Sequence, residues 1–91
     1  MLTRTDTLNT LLRDGFILVF NQPKLDIVKT AEALVAAGIG NMEVTCRIPQ
    51  PLEAMRRLRA AMPEFVIGAA SLVDSPAFLD RYAQANADDP I

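Results

Sequence analysis

The sequence predicts an α/β protein: a leading helix followed by three strand–helix units. Three observations lead there. Strand-like runs begin at Phe16, Asn41 and Phe65, spaced 25 and 24 residues apart. Each is followed by apolar residues at helical spacing, long enough for a crossover helix, so parallel pairing is the natural arrangement. Phe16 to Phe20 is an unbroken apolar run, the pattern of a strand buried on both faces in a parallel sheet. Repeated βα units belong either to a doubly wound sheet or to part of a (β/α)8 barrel.

The elements follow in order. The segment TDTLNTLLRDG reads as a short helix. Asp6 or Thr7 is expected to cap it, Leu8, Leu11 and Leu12 form its apolar stripe, and Gly15 stops it. FILVF is the first strand. In KLDIVKTAEALVAAG, residues Ile27, Val28, Ala31, Leu34 and Val35 share one helical face, Lys24, Lys29 and Glu32 face solvent, and Gly38 ends the helix. NMEVTCR, Asn41 to Arg47, is the second strand. In PQPLEAMRRLRAAMP, Pro51 suits the first turn, Leu52, Met55, Leu58 and Met62 form the buried stripe, and Pro63 is the stop. Phe65 to Ser71 is the third strand. A last helix opens with Ser75 as cap and Pro76 at its first position.

Composition narrows the possible functions. Ninety-one residues allow at most one small domain, and 51% hydrophobic residues are ample for a core. A chain of this size buries only about 60–65% of its unfolded surface, so a monomer standing alone is marginal. The net charge of −2 gives no basic footprint for nucleic acid. One cysteine, Cys46, and no histidine argue against a zinc site and against a Ser-His or Cys-His nucleophile. A lone cysteine fits a reducing compartment. No run approaches the ~18 apolar residues of a membrane span. The expectation is a cytoplasmic protein with neither nucleic acid nor membrane as partner.

The second strand carries an acid and a base. Side chains alternate along a strand, so Glu43, Thr45 and Arg47 share one face while Met42, Val44 and Cys46 share the other. In a doubly wound sheet both faces lie under helices, where an ionisable pair is costly to bury. In a barrel the polar face looks inward, with Arg47 toward the mouth where barrel enzymes place their chemistry. The pattern favours the barrel. Periodicity alone leaves open that Glu43 and Arg47 form a solvated ion pair at a frayed strand end.

AEALVAAGIGNMEVTCR followed by LRAAMPEFVIGAAS resembles the 2-keto-3-deoxy-6-phosphogluconate and 4-hydroxy-2-oxoglutarate aldolase family. The shared signature is a helix ending in A-G-G/A-I, a strand E-V-T-x-R, and a third strand ending near G-A-G-T. It runs from about Phe16 to Ser71. The resemblance implies a class I aldolase on a (β/α)8 TIM barrel, working through a lysine imine without metal or other cofactor. The resemblance further implies a homo-oligomer, a trimer, that cleaves a 2-oxo acid to pyruvate and an aldehyde. Glu43 matches the family's proton-shuttling glutamate. Arg47 matches the arginine that binds the pyruvate carboxylate. Thr45 and Ser71 fall at positions lining the substrate. A planar guanidinium suits a carboxylate.

The resemblance also implies that residues 1–91 are a single partial domain, the leading helix and about three βα units of the barrel. The imine lysine of the family falls on a later strand. Lys24 and Lys29, the two lysines present, occupy a loop and a helix face. The chain is therefore expected to be a truncated form, inactive alone. GAAS replaces G-A-G-T, with Ala70 and Ser71 at the two changed positions, which leaves the particular keto acid open. Cys46 reads as a small apolar core residue. Arg56, Arg57 and Arg59 read as a solvated helix face, Phe78 and Tyr82 as packing, and Asp88 and Asp89 as too few ligands for a metal. The rival reading is a non-catalytic α/β module that self-associates or pairs with another chain through a free sheet edge.

Overall fold

Three tight chain reversals lay out the path of the backbone, which a computed structural model describes for residues 2–72 and 76–91. Helix α1 (Arg4–Asp14) stops at Gly15, whose φ of 78° is left-handed and whose N–H donates to the Leu11 carbonyl. Helix α2 (Ile27–Ala36) ends in paired bonds from Gly38 to Val35 and from Ile39 to Leu34, with Gly38 at φ 87°. Helix α3 (Pro51–Ala61) begins at a proline and ends before Pro63. Helix α4 spans Pro76–Asp88. Ser75, the expected cap of this last helix, lies outside the described residues.

Strands β1 (Val19–Phe20), β2 (Asn41–Thr45) and β3 (Val66–Ala70) form a parallel sheet in the order β1-β2-β3. The central strand therefore carries ladder bonds on both sides. Met42 and Val44 are fully enclosed and pack with Ile27 and Ala31 of α2 and Met55 and Leu58 of α3. Leu52 and Met62 flank the same core, as their spacing requires. Tyr82 and Ile91 reach it from the C-terminal region.

Several local expectations are corrected. The cap of α1 is Thr3, not Asp6 or Thr7. Thr3 Oγ1 accepts from the Asp6 N–H while the Asp6 carboxylate accepts from the Thr3 N–H, a reciprocal box that satisfies two donors. The first strand is two residues long rather than five. β1 is an edge with a single neighbour, and the carbonyl of Phe16 is taken by the side chain of Asn41 instead of a ladder partner. Phe20 alone of the run is buried; Phe16, Ile17 and Val19 are exposed, as are Leu8 and Leu12 of α1 and Val35 of α2. The arginines of α3 do not form a free solvated face. Arg59 donates to the carbonyls of Met62, Pro63, Phe65 and Ile91; Arg56 binds Ala85 and Asp89; Arg57 pairs with Asp26 at 3.0 Å. They tie α3 to its own end, to the C-terminal segment and to the cap of α2. Desolvation pulls the pKa of Arg59 below the usual arginine value, and Glu64 opposes the shift.

A buried carboxylate joins α1 to the start of β2. The Asp14 side chain is wholly enclosed. Its Oδ2 accepts from the Gly40 N–H and from Asn41 Nδ2, each at 2.8 Å. Burial pushes the Asp14 pKa up, and the bonds from Asn41, Gly40 and Arg13 together outweigh it and hold the group below the ordinary aspartate range.

Removing this acceptor leaves the Gly40 N–H and one hydrogen of Asn41 Nδ2 without a partner, so Asp14→Ala is expected to cost roughly 2 kcal/mol at neutral pH in urea titration. Because the folded-state pKa is depressed, the stabilisation is complete above the unfolded value near pH 4. It is lost as pH falls through the lower folded-state value. The gap between wild type and Asp14→Asn should therefore narrow below about pH 4. A gap unchanged by acid would contradict an ionised Asp14.

Candidate functional site

Burial of Met42 and Val44 against the helices turns Asn41, Glu43 and Thr45 to the opposite face of β2. Asn41, at the strand's N-terminal end, is buried and donates to Asp14 and to the Phe16 carbonyl, while its Oδ1 has no partner. Glu43, in mid-strand, is half-buried. It lies in register with Val19 on β1 and Gly68 on β3. Gly68 leaves room beside the acid: a Cβ built there would meet Glu43 Cγ at 3.7 Å, an ordinary contact. The Glu43 N–H donates to the Leu18 carbonyl at 2.7 Å, which fixes its backbone.

Thr45 ends the strand. It is 2% exposed. Its Oγ1 lies 3.1 Å from Ser71 Oγ and 3.4 Å from the Arg47 backbone nitrogen. Ser71 follows β3 in the left-handed region, at φ 58°, a conformation uncommon outside glycine and enriched where a side chain is held for a purpose. Arg47 is exposed in the turn after β2, two residues beyond the strand's end. The expectation that it continues the strand face is corrected. The ladder closes with the Cys46 N–H on the Ala70 carbonyl, and the Ile48 N–H then turns back to the Thr45 carbonyl. The prolines at 49 and 51 follow at once.

The structure thus brings Thr45, Arg47 and Ser71 together at the C-terminal end of the sheet, with Glu43 one step down the same face. Glu43 and Arg47 do not pair: among the described residues the chain's ion pairs are Arg13–Asp14, Arg56–Asp89 and Arg57–Asp26. The solvated ion pair that periodicity left open is not formed. The cluster holds a half-buried acid, a serine hydroxyl bonded to the enclosed Thr45, and the backbone of an exposed arginine. Among the described residues no group of three or more acidic, cysteine or histidine side chains could hold a metal ion, and no helix is long and apolar enough to cross a membrane.

Other features lie apart from this cluster. A cavity of about 830 Å³ opens at the N-terminal ends of the strands, between α1 and the α3–β3 connection. Cys46 is half-buried at the core's edge. The Tyr82 hydroxyl beside it is pushed up to about 12 by burial and by its hydrogen bond to the thiol. Lys24 lies in the turn before α2 and Lys29 on that helix's exposed face. Two contributors to the site carry little sequence signal. Gly68 is found only by pairing β3 with β2 in register, and the Asp14–Asn41 contact joins residues 27 apart in the chain.

These features define a parallel α/β protein with a polar cluster at the C-terminal end of its sheet. Residues 11–89 match the family model described as Aldolase: KDPG and KHG aldolase, and the chain belongs to that family. Among curated proteins it is similar to a 2-dehydro-3-deoxy-phosphogluconate aldolase of Pseudomonas aeruginosa, 35% identical over 77 residues. The match covers 82% of this chain and 35% of that relative, so the chain spans about a third of its relative's length. No solved structure matches at a comparable level of significance.

The space beside Glu43 makes a prediction for Gly68. Gly68→Ala should stay within about 1 kcal/mol of wild type in urea unfolding, since the new methyl only touches Glu43. A loss of about 2 kcal/mol or more for Gly68→Ala would show that the two strands pack closer than described.

Proposed function

We propose that this chain supplies part of the active site of a class I aldolase acting on a 2-oxo acid of the 2-keto-3-deoxy-6-phosphogluconate type, yielding pyruvate and an aldehyde. Family membership supports the reaction class and weighs against the non-catalytic module. The observation that carries the reading is that Glu43 and Thr45 share one face of β2, with Ser71 and the turn carrying Arg47 meeting Thr45 at the C-terminal end of the sheet. That end is where (β/α)8 enzymes put their chemistry. On this reading the three strands are the first of a barrel, residues 1–91 form one partial domain, and the complete enzyme is a cytoplasmic homo-oligomer.

The chemistry divides as follows. A lysine amine adds to the substrate ketone and water leaves, giving an iminium that can accept an electron pair. Glu43 takes the proton of the hydroxyl as the carbon–carbon bond breaks, the aldehyde departs, and the bonding electrons enter the iminium. The glutamic acid then returns its proton to the enamine carbon, and water adds to the resulting iminium, breaking the C–N bond to release pyruvate and the free lysine. A positioned acid/base of this kind contributes about 10²–10⁴-fold. The Arg47 guanidinium and the Ser71 hydroxyl hold the carboxylate of the pyruvate half. The lysine is assigned to chain outside these residues, because neither Lys24 nor Lys29 stands at a strand end.

Two experiments test this. The 91-residue chain incubated with pyruvate and borohydride should show no reduced adduct by mass spectrometry. A stoichiometric adduct on Lys24 or Lys29 would overturn the assignment of the nucleophile. Spliced in place of the matching segment of the Pseudomonas aeruginosa relative, the chain should support aldol cleavage, followed as pyruvate release. In that chimera Glu43→Gln should lower kcat at least about 100-fold with KM little changed. A folded chimera whose turnover survives Glu43→Gln would remove Glu43 from the chemistry.

A further inference from the structure

Thr45 is enclosed, and its hydroxyl touches the Ser71 hydroxyl and the backbone nitrogen of Arg47, the two residues that the proposed function assigns to the substrate carboxylate. The bonding directions follow from what each partner can do. The Arg47 backbone N–H can only donate, so it occupies a lone pair of Thr45 Oγ1 at 3.4 Å. The Thr45 proton then goes to Ser71 Oγ, 3.1 Å away. This arrangement satisfies the buried Thr45 hydroxyl, whereas the reverse polarity would leave its proton without an acceptor. Ser71 Oγ is thereby an acceptor toward Thr45, and its own proton remains to be donated elsewhere. Ser71 itself is held at φ 58°, a backbone state that serine occupies only when its surroundings fix it.

We infer that Thr45 is a positioning residue that sets the hydrogen-bond polarity of the site. It touches no substrate. It fixes the backbone at Arg47, anchors Ser71 in its left-handed conformation, and aims the Ser71 proton at an acceptor-only ligand such as the carboxylate of a 2-oxo acid. The ligand part rests on the aldolase reading; the positioning part stands on the geometry alone. A threonine placed to line the substrate, as the family resemblance implies for it, acts here from behind the lining.

The test uses the isotope-labelled 91-residue chain, with sodium pyruvate as probe, and compares wild type, Thr45→Val and Thr45→Ser. Valine keeps the shape and removes the hydroxyl; serine keeps the hydroxyl. Without ligand, amide exchange at Arg47 should quicken about tenfold in Thr45→Val and stay near wild type in Thr45→Ser. With pyruvate, the shifts at Ser71 and Arg47 should need about tenfold more ligand in Thr45→Val, with recovery in Thr45→Ser. A valine variant that matches wild type in Arg47 exchange overturns the positioning role, and so does a serine variant that fails as fully as valine. If wild type shows no pyruvate shift while the exchange pattern holds, the carboxylate reading falls, and with it the ligand half of the inference; the positioning half is upheld.

Discussion

Met42 and Val44 are enclosed between the central strand and helices α2 and α3, and their burial fixes which way every other side chain of β2 points. Each apolar side chain so buried contributes about 1.5–3 kcal/mol. A slip of one residue would expose both and drive Asn41, Glu43 and Thr45 under the helices, where an unpaired carboxylate is costly. The polar face therefore needs no separate device to orient it. It is what remains when a five-residue strand puts two apolar side chains into a one-sided core. Asp14 works in the same direction from below: by gripping Gly40 and Asn41 it sets the level at which β2 enters the sheet.

The three-strand sheet leaves one layer unsupported. β1 has a neighbour on one side only, and Phe16, Ile17 and Val19 remain exposed beside Leu8 and Leu12 of α1. Leu12 is 71% exposed, far from what an apolar stripe at helical spacing leads one to expect. Under the proposed barrel, further strands would cover these residues. In the α2–α3 layer, by contrast, periodicity and burial agree apart from Val35, and the arginines of α3 close that layer by binding carbonyls at its ends.

Much of this was legible in the sequence. Gly15 and Gly38 mark helix ends because each needs a left-handed backbone, and Pro51 marks a start because its missing N–H is harmless there. The stripes of α2 and α3 give the core almost residue for residue, Val35 excepted. Alternation along NMEVT put Glu43 and Thr45 on one face. What was not legible depends on neighbours. The Thr3 cap uses Asp6 as its partner rather than as the cap itself, a reciprocity that composition does not rank. The short β1 reflects its place at the sheet edge and a carbonyl lent to Asn41. The end of β2 at Thr45 reflects the turn that follows, so Arg47 reaches the site from a loop. Thr45's contact with Ser71 joins residues 26 apart, beyond any periodic pattern.

The orientation of β2 is most directly read by thiol accessibility. In a Cys46→Ser background, single substitutions Met42→Cys, Glu43→Cys and Val44→Cys would be exposed in turn to a water-soluble alkylating reagent under native conditions. The cysteine at 43 should react readily, and those at 42 and 44 only as fast as the protein unfolds. Fast labelling at 42 and 44 with protection at 43 would mean that the acid lies beneath the helices, and the site built on it would not exist.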